Sequence, residues 1–327
     1  MPDAARQVPG RIHVVLVGTC PPDARPGLAA AIGDGTLVDL DAATDADLRS
    51  ANAALVWDFR WTGLAELLAR APQLSWVQAA SAGVDHLREA LVGRPDIVLT
   101  NAAGVYERPM AEYVLGLILA HAKGLSATYA AQRDRAWRYR ETALVAGSTL
   151  VVVGAGRIGT AVAALAAAVG MDVLGVRRTP AMPPPKPFSS IVGIDALVPT
   201  IAQADYVVVT TPATTSTAGL LDSAALRAMK PSAYLINVGR AAVVDTGALV
   251  EALISGTIAG AALDVVEDEP LPPGSPLWVV PNLLISPHMS ADAHGWATRV
   301  VKQFARNVAL RAAGRALESR VDPARGY

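Results

Sequence analysis

The stretch Gly147-Ser148-Thr149-Leu150-Val151-Val152-Val153-Gly154-Ala155-Gly156-Arg157-Ile158-Gly159 decides how this chain is read. Leu150 to Val153 is the short apolar, β-branched run of a buried strand. Ile158 to Val169 is uncharged and rich in alanine, reads as a helix, and closes at Gly170, a residue suited to a C-cap. Met171 to Val176 then reads as the next strand. With 27 glycines in 327 residues, three at fixed spacing carry little weight alone. The order strand, glycines, helix, strand carries much more. Gly154 makes a tight turn, Gly156 lets backbone approach a pyrophosphate, and Gly159 packs helix on strand.

About 20 residues beyond such glycines, an acidic side chain ordinarily accepts hydrogen bonds from a ribose 2′-hydroxyl. This chain has Arg177 and Arg178 there, followed by Thr179. A carboxylate would repel a 2′-phosphate, whereas a guanidinium attracts it and bonds it through two parallel N–H donors. The expected cofactor is therefore NADPH/NADP, with NAD as the alternative. Each hydrogen bond to a charged group contributes about 1.5–3 kcal/mol.

The length suffices for two domains of ordinary size. Hydrophobic residues make up 52% and charged residues 17%, the composition of a core-rich globular protein. A net charge of −1 argues against a nucleic-acid partner held by bulk electrostatics. Cys20 is the only cysteine, which excludes an intrachain disulfide and a cysteine-based metal site; no metal is expected. The start, Met1 to Gln7, leads directly into the apolar run Ile12–Val17, which does not read as a signal peptide. The most apolar helix, Met110 to Ser126, is interrupted by Glu112, His121 and Lys123 and does not read as a membrane span. A soluble, cytoplasmic protein is expected.

The first hundred residues alternate strand-like runs at 12–17, 37–40, 54–59, 76–79 and 98–101 with helix-like stretches near 26–32, 45–51, 63–70 and 85–92. Such βα repetition predicts a parallel sheet covered on both faces. No glycine-rich phosphate loop occurs here. Pro109 suits the first turn of a helix reaching about Leu125, apolar nearly all round and so buried under its own domain or against a second subunit. Further strands are expected at 191–194, 206–210, 233–238, 258–263 and 283–286. Thr179–Pro187, with five prolines, reads as a surface loop. Ala291 to about Ala316 reads as one amphipathic helix, with Val300, Val301, Phe304, Val308 and Leu310 as its apolar stripe, returning to the first domain. The expected domains are 1–101 plus 291–327, and 102–290.

Three segments in the second half look unlike packing. Asn237-Val238-Gly239-Arg240 ends one strand, Asp264 to Glu269-Pro270 follows another, and Ser286-Pro287-His288-Met289-Ser290 follows a third. Ligands of parallel sheets bind outside the carboxyl ends of the strands. Hydride delivered to a carbonyl carbon leaves an alkoxide that needs a proton, for which histidine is the commonest donor. A carboxylate beside it fixes the ring and favours imidazolium. Glu269 is the first candidate for that carboxylate, with Glu267 and Asp268 as alternatives. An arginine clamps a keto-acid carboxylate and polarises the carbonyl. His13, His86 and His121 read as structural, while His294, Trp296, Trp57 and Phe59 are candidates for the pocket rim.

Together these motifs resemble the D-isomer-specific 2-hydroxyacid dehydrogenase family along essentially the whole chain. The resemblance implies an α/β fold of two doubly wound parallel-sheet domains with a cleft between: a flavodoxin-like substrate domain and a Rossmann nucleotide-binding domain. It implies Arg240, Glu269 and His288 as the catalytic set, with Ala82, Gly83 and Val84, Arg240 and His288 meeting the substrate. Ser81 to Asp85 is similar to the family's carboxylate loop, and Thr100 to Val105 to its crossover between domains. Cofactor contacts are implied for Gly154, Gly156, Arg157, Ile158, Gly159, Arg177, Arg178, Thr179, Thr211, Pro212, Thr217, Val238, Gly239, Arg240, Asp264, His288 and Ser290, with Asp264 on the nicotinamide carboxamide. Arg177 in place of Asp is similar to NADPH-dependent glyoxylate and hydroxypyruvate reductases. Glu269 separates the chain from formate dehydrogenases, which carry glutamine there. Val56 to Phe59, His288 to Asp292 with Gly295-Trp296, and the closing Val321 to Tyr327 resemble a bacterial subgroup. The implied reaction reduces a small 2-keto acid to the D-2-hydroxy acid in a homodimer. The rivals are a non-enzymatic NAD(P)H sensor of the same fold, similar to corepressor relatives, and an NADH-preferring dehydrogenase.

Overall fold

The computed structural model describes residues 11–180 and 183–323. The leader reading at residues 1–10, two positions of the proline loop and the end of the closing phrase lie outside the described residues. The chain divides into two compact units, Met1–Tyr106 with His294–Tyr327, and Glu107–Ala293.

In the first unit, five parallel strands form: β1 (His13–Val17), β2 (Thr36–Asp39), β3 (Ala53–Val56), β4 (Trp76–Ala79) and β5 (Val98–Thr100). The sheet order is Arg320–Val321, β5, β4, β3, β1, β2. The two-residue Arg320–Val321 strand pairs antiparallel to β5, with Val321 opposite Leu99. It is too short to leave a period-2 signal in the sequence. β3 and β4 are buried at every position, as strands covered on both faces must be. The strand expected over 54–59 stops at Val56, because Trp57 and Asp58 turn back to donate to the Val17 carbonyl. The helix expected over 85–92 is one turn, Asp85–Arg88, tightening into a 3-10 turn to Leu91.

The last helix, Trp296–Ala312, packs in this unit and is shorter than the expected 291–316. Gly295, with a left-handed backbone (φ 76°), separates it from the preceding loop. Val300, Val301 and Phe304 are buried as the stripe requires, with Phe304 stacked on Trp76 at 5.2 Å. Val308 and Leu310 are only half-buried. Two fully buried polar residues, Gln303 and Asn307, share the inward face: Gln78 donates to Gln303 and accepts from Asn307.

In the second unit, seven parallel strands follow: β6 (Thr149–Val153), β7 (Asp172–Val176), β8 (Ser190–Val192), β9 (Tyr206–Val209), β10 (Tyr234–Asn237), β11 (Gly260–Leu263) and β12 (Leu283–Ile285). Their order, β12-β11-β10-β9-β6-β7-β8, reverses direction between β6 and β9, the point where doubly wound sheets open a crevice. The two doubly wound α/β sheets expected from the sequence are borne out, with the antiparallel edge as the addition.

The long apolar helix is in fact two, Glu107–Ala122 and Leu125–Arg133, bent by 61°. Gly124 between them has φ 58°, in the left-handed region that ends a helix. Within the chain the first of these helices is not buried all round. Met110, Val114 and Ile118 point inward while Arg108, Glu112 and Gly116 are exposed. Among the described residues no single helix is long and apolar enough to cross a membrane.

Candidate active site

Every strand of the second unit that carries a singled-out residue delivers it at the same carboxyl edge. The glycines follow β6, Arg177 follows β7, Thr211 and Pro212 follow β9, and Arg240 follows β10. Asp264 and Glu269 come after β11, and His288 after β12.

Gly154 sits at the reversal point with φ 111°, and a Cβ there would lie 2.7 Å from Thr210 Oγ1 and 2.9 Å from Thr211 N. Only glycine satisfies both conditions. A Cβ on Gly159 would lie 2.2 Å from the Gly154 carbonyl oxygen, so the helix Arg157–Ala168 rests directly on the turn. At Gly156, the N-cap of that helix, a Cβ would meet nothing within 4 Å. Open space at a helix N-terminus with no side-chain cap suits an anion. Nearby, Thr211 Oγ1 is buried with no hydrogen-bond partner. The residues present fit a dinucleotide.

Arg177 is half-buried and anchors its Nε on the Thr179 carbonyl at 2.5 Å, which orients the guanidinium; Arg178 and Thr179 are exposed. Arg157 pairs with Glu107 at 2.8 Å, a partner that sequence reading did not single out. Ile158 and Pro212 are half-buried and Val238 is buried. Thr217 is turned into its own loop, donating to the Pro212 carbonyl at 2.7 Å and accepting from Thr214 N.

On the other side of the reversal point, Gly239 is forced by the Thr211 carbonyl, 2.7 Å from where its Cβ would be. Asn237, fully buried, accepts from Gly239 N and donates to the Arg240 carbonyl, holding the half-buried Arg240 at the strand end. The Arg240 guanidinium also donates to the Gly239 carbonyl at 2.8 Å. His288 Nδ1 lies 2.8 Å from Glu269 Oε2, while Glu269 Oε1 accepts from Val266 N. Of the three acids, Glu269 is the one at the histidine; Glu267 accepts from Thr246 instead. Ser290 is buried, and its N–H goes to Asp264. Ser286, unremarked in the sequence, donates to Asp264 at 2.6 Å. Burial pushes the nearby Asp292 carboxyl up, with His288 opposing and Asp264 reinforcing the shift.

In the first unit, the Ala82 and Gly83 carbonyls accept from Asn101 Nδ2 (2.7 Å) and Ser81 Oγ (2.6 Å), which pins that loop; Val84 is buried. Trp57 and Trp296 pack on each other at 5.5 Å, while Phe59 and His294 are exposed.

Residues 115–290 match the family described as D-isomer specific 2-hydroxyacid dehydrogenase, NAD binding domain. The chain belongs to this family. The expectation of a nicotinamide-dependent D-2-hydroxyacid dehydrogenase is thereby borne out. A glyoxylate reductase of Aeropyrum pernix is 34% identical over 76% of this chain and 77% of its own. A D-isomer specific 2-hydroxyacid dehydrogenase from Xanthobacter autotrophicus Py2, solved in complex with NADPH and MES, is 34% identical. It superposes with a TM-score of 0.82, covering 97% of this chain and 100% of its own. The NADPH-dependent glyoxylate/hydroxypyruvate reductase of Sinorhizobium meliloti, solved with NADP and sulfate, is 28% identical with a TM-score of 0.82, covering 96% and 99%.

Proposed function

We propose that this enzyme reduces a small 2-keto acid of the glyoxylate or hydroxypyruvate type to the D-2-hydroxy acid with NADPH. The single observation that carries the reading is the His288–Glu269 contact of 2.8 Å on the sheet edge that also bears the glycine turn and Arg240. When bound, the cofactor supplies the hydride for the carbonyl carbon. His288 Nε2 gives the proton that converts the developing alkoxide to a hydroxyl. Glu269 accepts from Nδ1–H, so the ring keeps one orientation with Nε2 toward the substrate. Arg240 binds the substrate carboxylate through charge-assisted bonds. Asp264 and Ser290 are assigned to the nicotinamide side. Arg177 and Arg178 face the 2′-phosphate, a role supported by the NADP-bound relatives. A cytoplasmic homodimer completes the proposal. The support for the dimer is that four large side chains within one short stretch of sequence, Tyr129, Trp137, Tyr139 and Leu144, are exposed, Trp137 fully at 101%.

The test is a panel of 2-keto acids assayed with NADPH and NADH. Turnover of at least one small keto acid with NADPH preferred is expected; binding without turnover identifies a sensor, and equal kcat/KM removes the cofactor assignment. His288→Ala should lower kcat by about 10²–10⁴-fold, and wild-type turnover in that variant removes the acid role.

A further inference from the structure

We infer that Phe188 is a positioning residue for cofactor choice: its ring, packed over the bare face of Gly175, seats the β7–β8 connection so that Arg177 is held toward the 2′-phosphate. This rests on the reading of Arg177 as the phosphate ligand. β7 turns Leu174 and Val176 to one core of the sheet, and Val173 and Gly175 to the other face. A Cβ on Gly175 would lie 3.1 Å from Phe188 Cδ1, 3.1 Å from Ala155 Cβ and 3.0 Å from Ile191 Cγ1. The ring thus fills the space that a side chain would take, beside Ala155 of the glycine turn. Among the described residues of the connection 177–189, Phe188 alone is buried, at 4% exposure.

The connection has few other anchors, and its prolines offer no N–H. On the returning limb, Phe188 N donates to the Pro185 carbonyl (3.2 Å), Ser189 N to the Val173 carbonyl (2.9 Å) and Ser189 Oγ to Asp172. The outgoing limb passes over Gly193, where a Cβ would lie 3.5 Å from Pro180 Cγ. Arg177 takes its direction from this limb, since its Nε donates to the Thr179 carbonyl. A bond from guanidinium to phosphate depends on close alignment of donor and acceptor, so a connection that shifts carries that bond away. The pyrophosphate turn does not depend on the ring: the Gly154 carbonyl accepts from Gly156 N and Thr210 Oγ1, both at 2.7 Å. Loss of the ring therefore falls on the 2′-phosphate, the group that distinguishes the two cofactors.

The experiment measures the Kd of NADPH and of NADH by fluorescence in Phe188→Ala, Phe188→Leu, Arg177→Ala and the Arg177→Ala/Phe188→Ala pair. Phe188→Ala should raise the NADPH Kd by roughly 10-fold, the lower end of what one charged hydrogen bond is worth. The NADH Kd should stay within about twofold, the scatter of independent sites. Phe188→Leu should move the ratio the same way by a smaller factor. In the Arg177→Ala background the second substitution should add no further loss, because the ring acts through that guanidinium. The proposal is overturned by an unchanged ratio in Phe188→Ala, by a full additional loss in the double variant, or by equal weakening of both cofactors, which is what a merely structural role gives. If Phe188→Ala does not fold, Phe188→Leu decides by the same ratio: a shift against NADPH supports the proposal and a wild-type ratio overturns it. An Arg177→Ala protein with a wild-type ratio would instead sink the reading of Arg177 itself, which separates the two failures.

Discussion

Single residues carry the sharpest consequences. The Gly159 position has no room for a methyl group, because the obstacle is the Gly154 backbone carbonyl and not a flexible side chain. Gly159→Ala should therefore destabilise the protein by about 1–3 kcal/mol, the usual cost of overpacking, and weaken NADPH binding with it. Thermal melting and fluorescence titration check this, and unchanged values would mean that the helix slides without cost. Arg177 is a different kind of residue: half-buried and anchored through Nε, it makes no contribution to the core. Arg177→Asp should leave the melting temperature nearly unchanged and lower kcat/KM for NADPH by roughly 10- to 150-fold, the worth of one charged hydrogen bond. The ratio of kcat/KM for the two cofactors should move toward NADH. Both residues were legible in the sequence, since glycine spacing and a misplaced charge are one-dimensional signals.

At the scale of elements, the helix Glu107–Ala122 meets β10 through a pair no periodicity reveals. The His121 ring stacks on Tyr234 at 4.0 Å and stands edge-on to Tyr206. Burial lowers the His121 pKa from its ordinary value near 6.5 and raises that of Tyr234 to about 12. For the histidine the sign is set by linkage: the unfolded chain takes up the proton first, so stability is fully present above about pH 6.5 and is lost as pH falls toward the lowered value. The melting temperature should accordingly fall on acidification from pH 7 to 5. His121→Phe keeps the stack and should flatten that slope; an unaltered slope assigns the acid sensitivity to other groups. Apart from the strand expected over 54–59, which ends three residues early at Val56, strand positions were legible to within a residue or two because buried parallel strands read as continuous apolar runs. The break at Gly124 was not, because one glycine inside an apolar helix is ordinary unless its φ is known. The same holds for Gln303 and Asn307, polar by sequence yet wholly buried, whose satisfaction depends on Gln78 more than 200 residues away.

For the molecule as a whole, the exposed side chains between Tyr129 and Leu144 mark the surface where a second copy is proposed to dock. Trp137→Ser combined with Leu144→Ser should convert a dimer into a monomer by sedimentation at micromolar concentration; an unchanged mass would move the interface elsewhere. The sequence by itself determined two doubly wound α/β domains, the family, and the candidate chemistry, because glycine spacing, apolar runs and out-of-place charges are local. Only the tertiary structure decided that Glu269, not Glu267 or Asp268, meets His288, and that Asp264 gathers the loop around it. Those pairings join residues far apart in the chain, and hydrogen-bond geometry of a few tenths of an ångström selects among neighbours of identical charge.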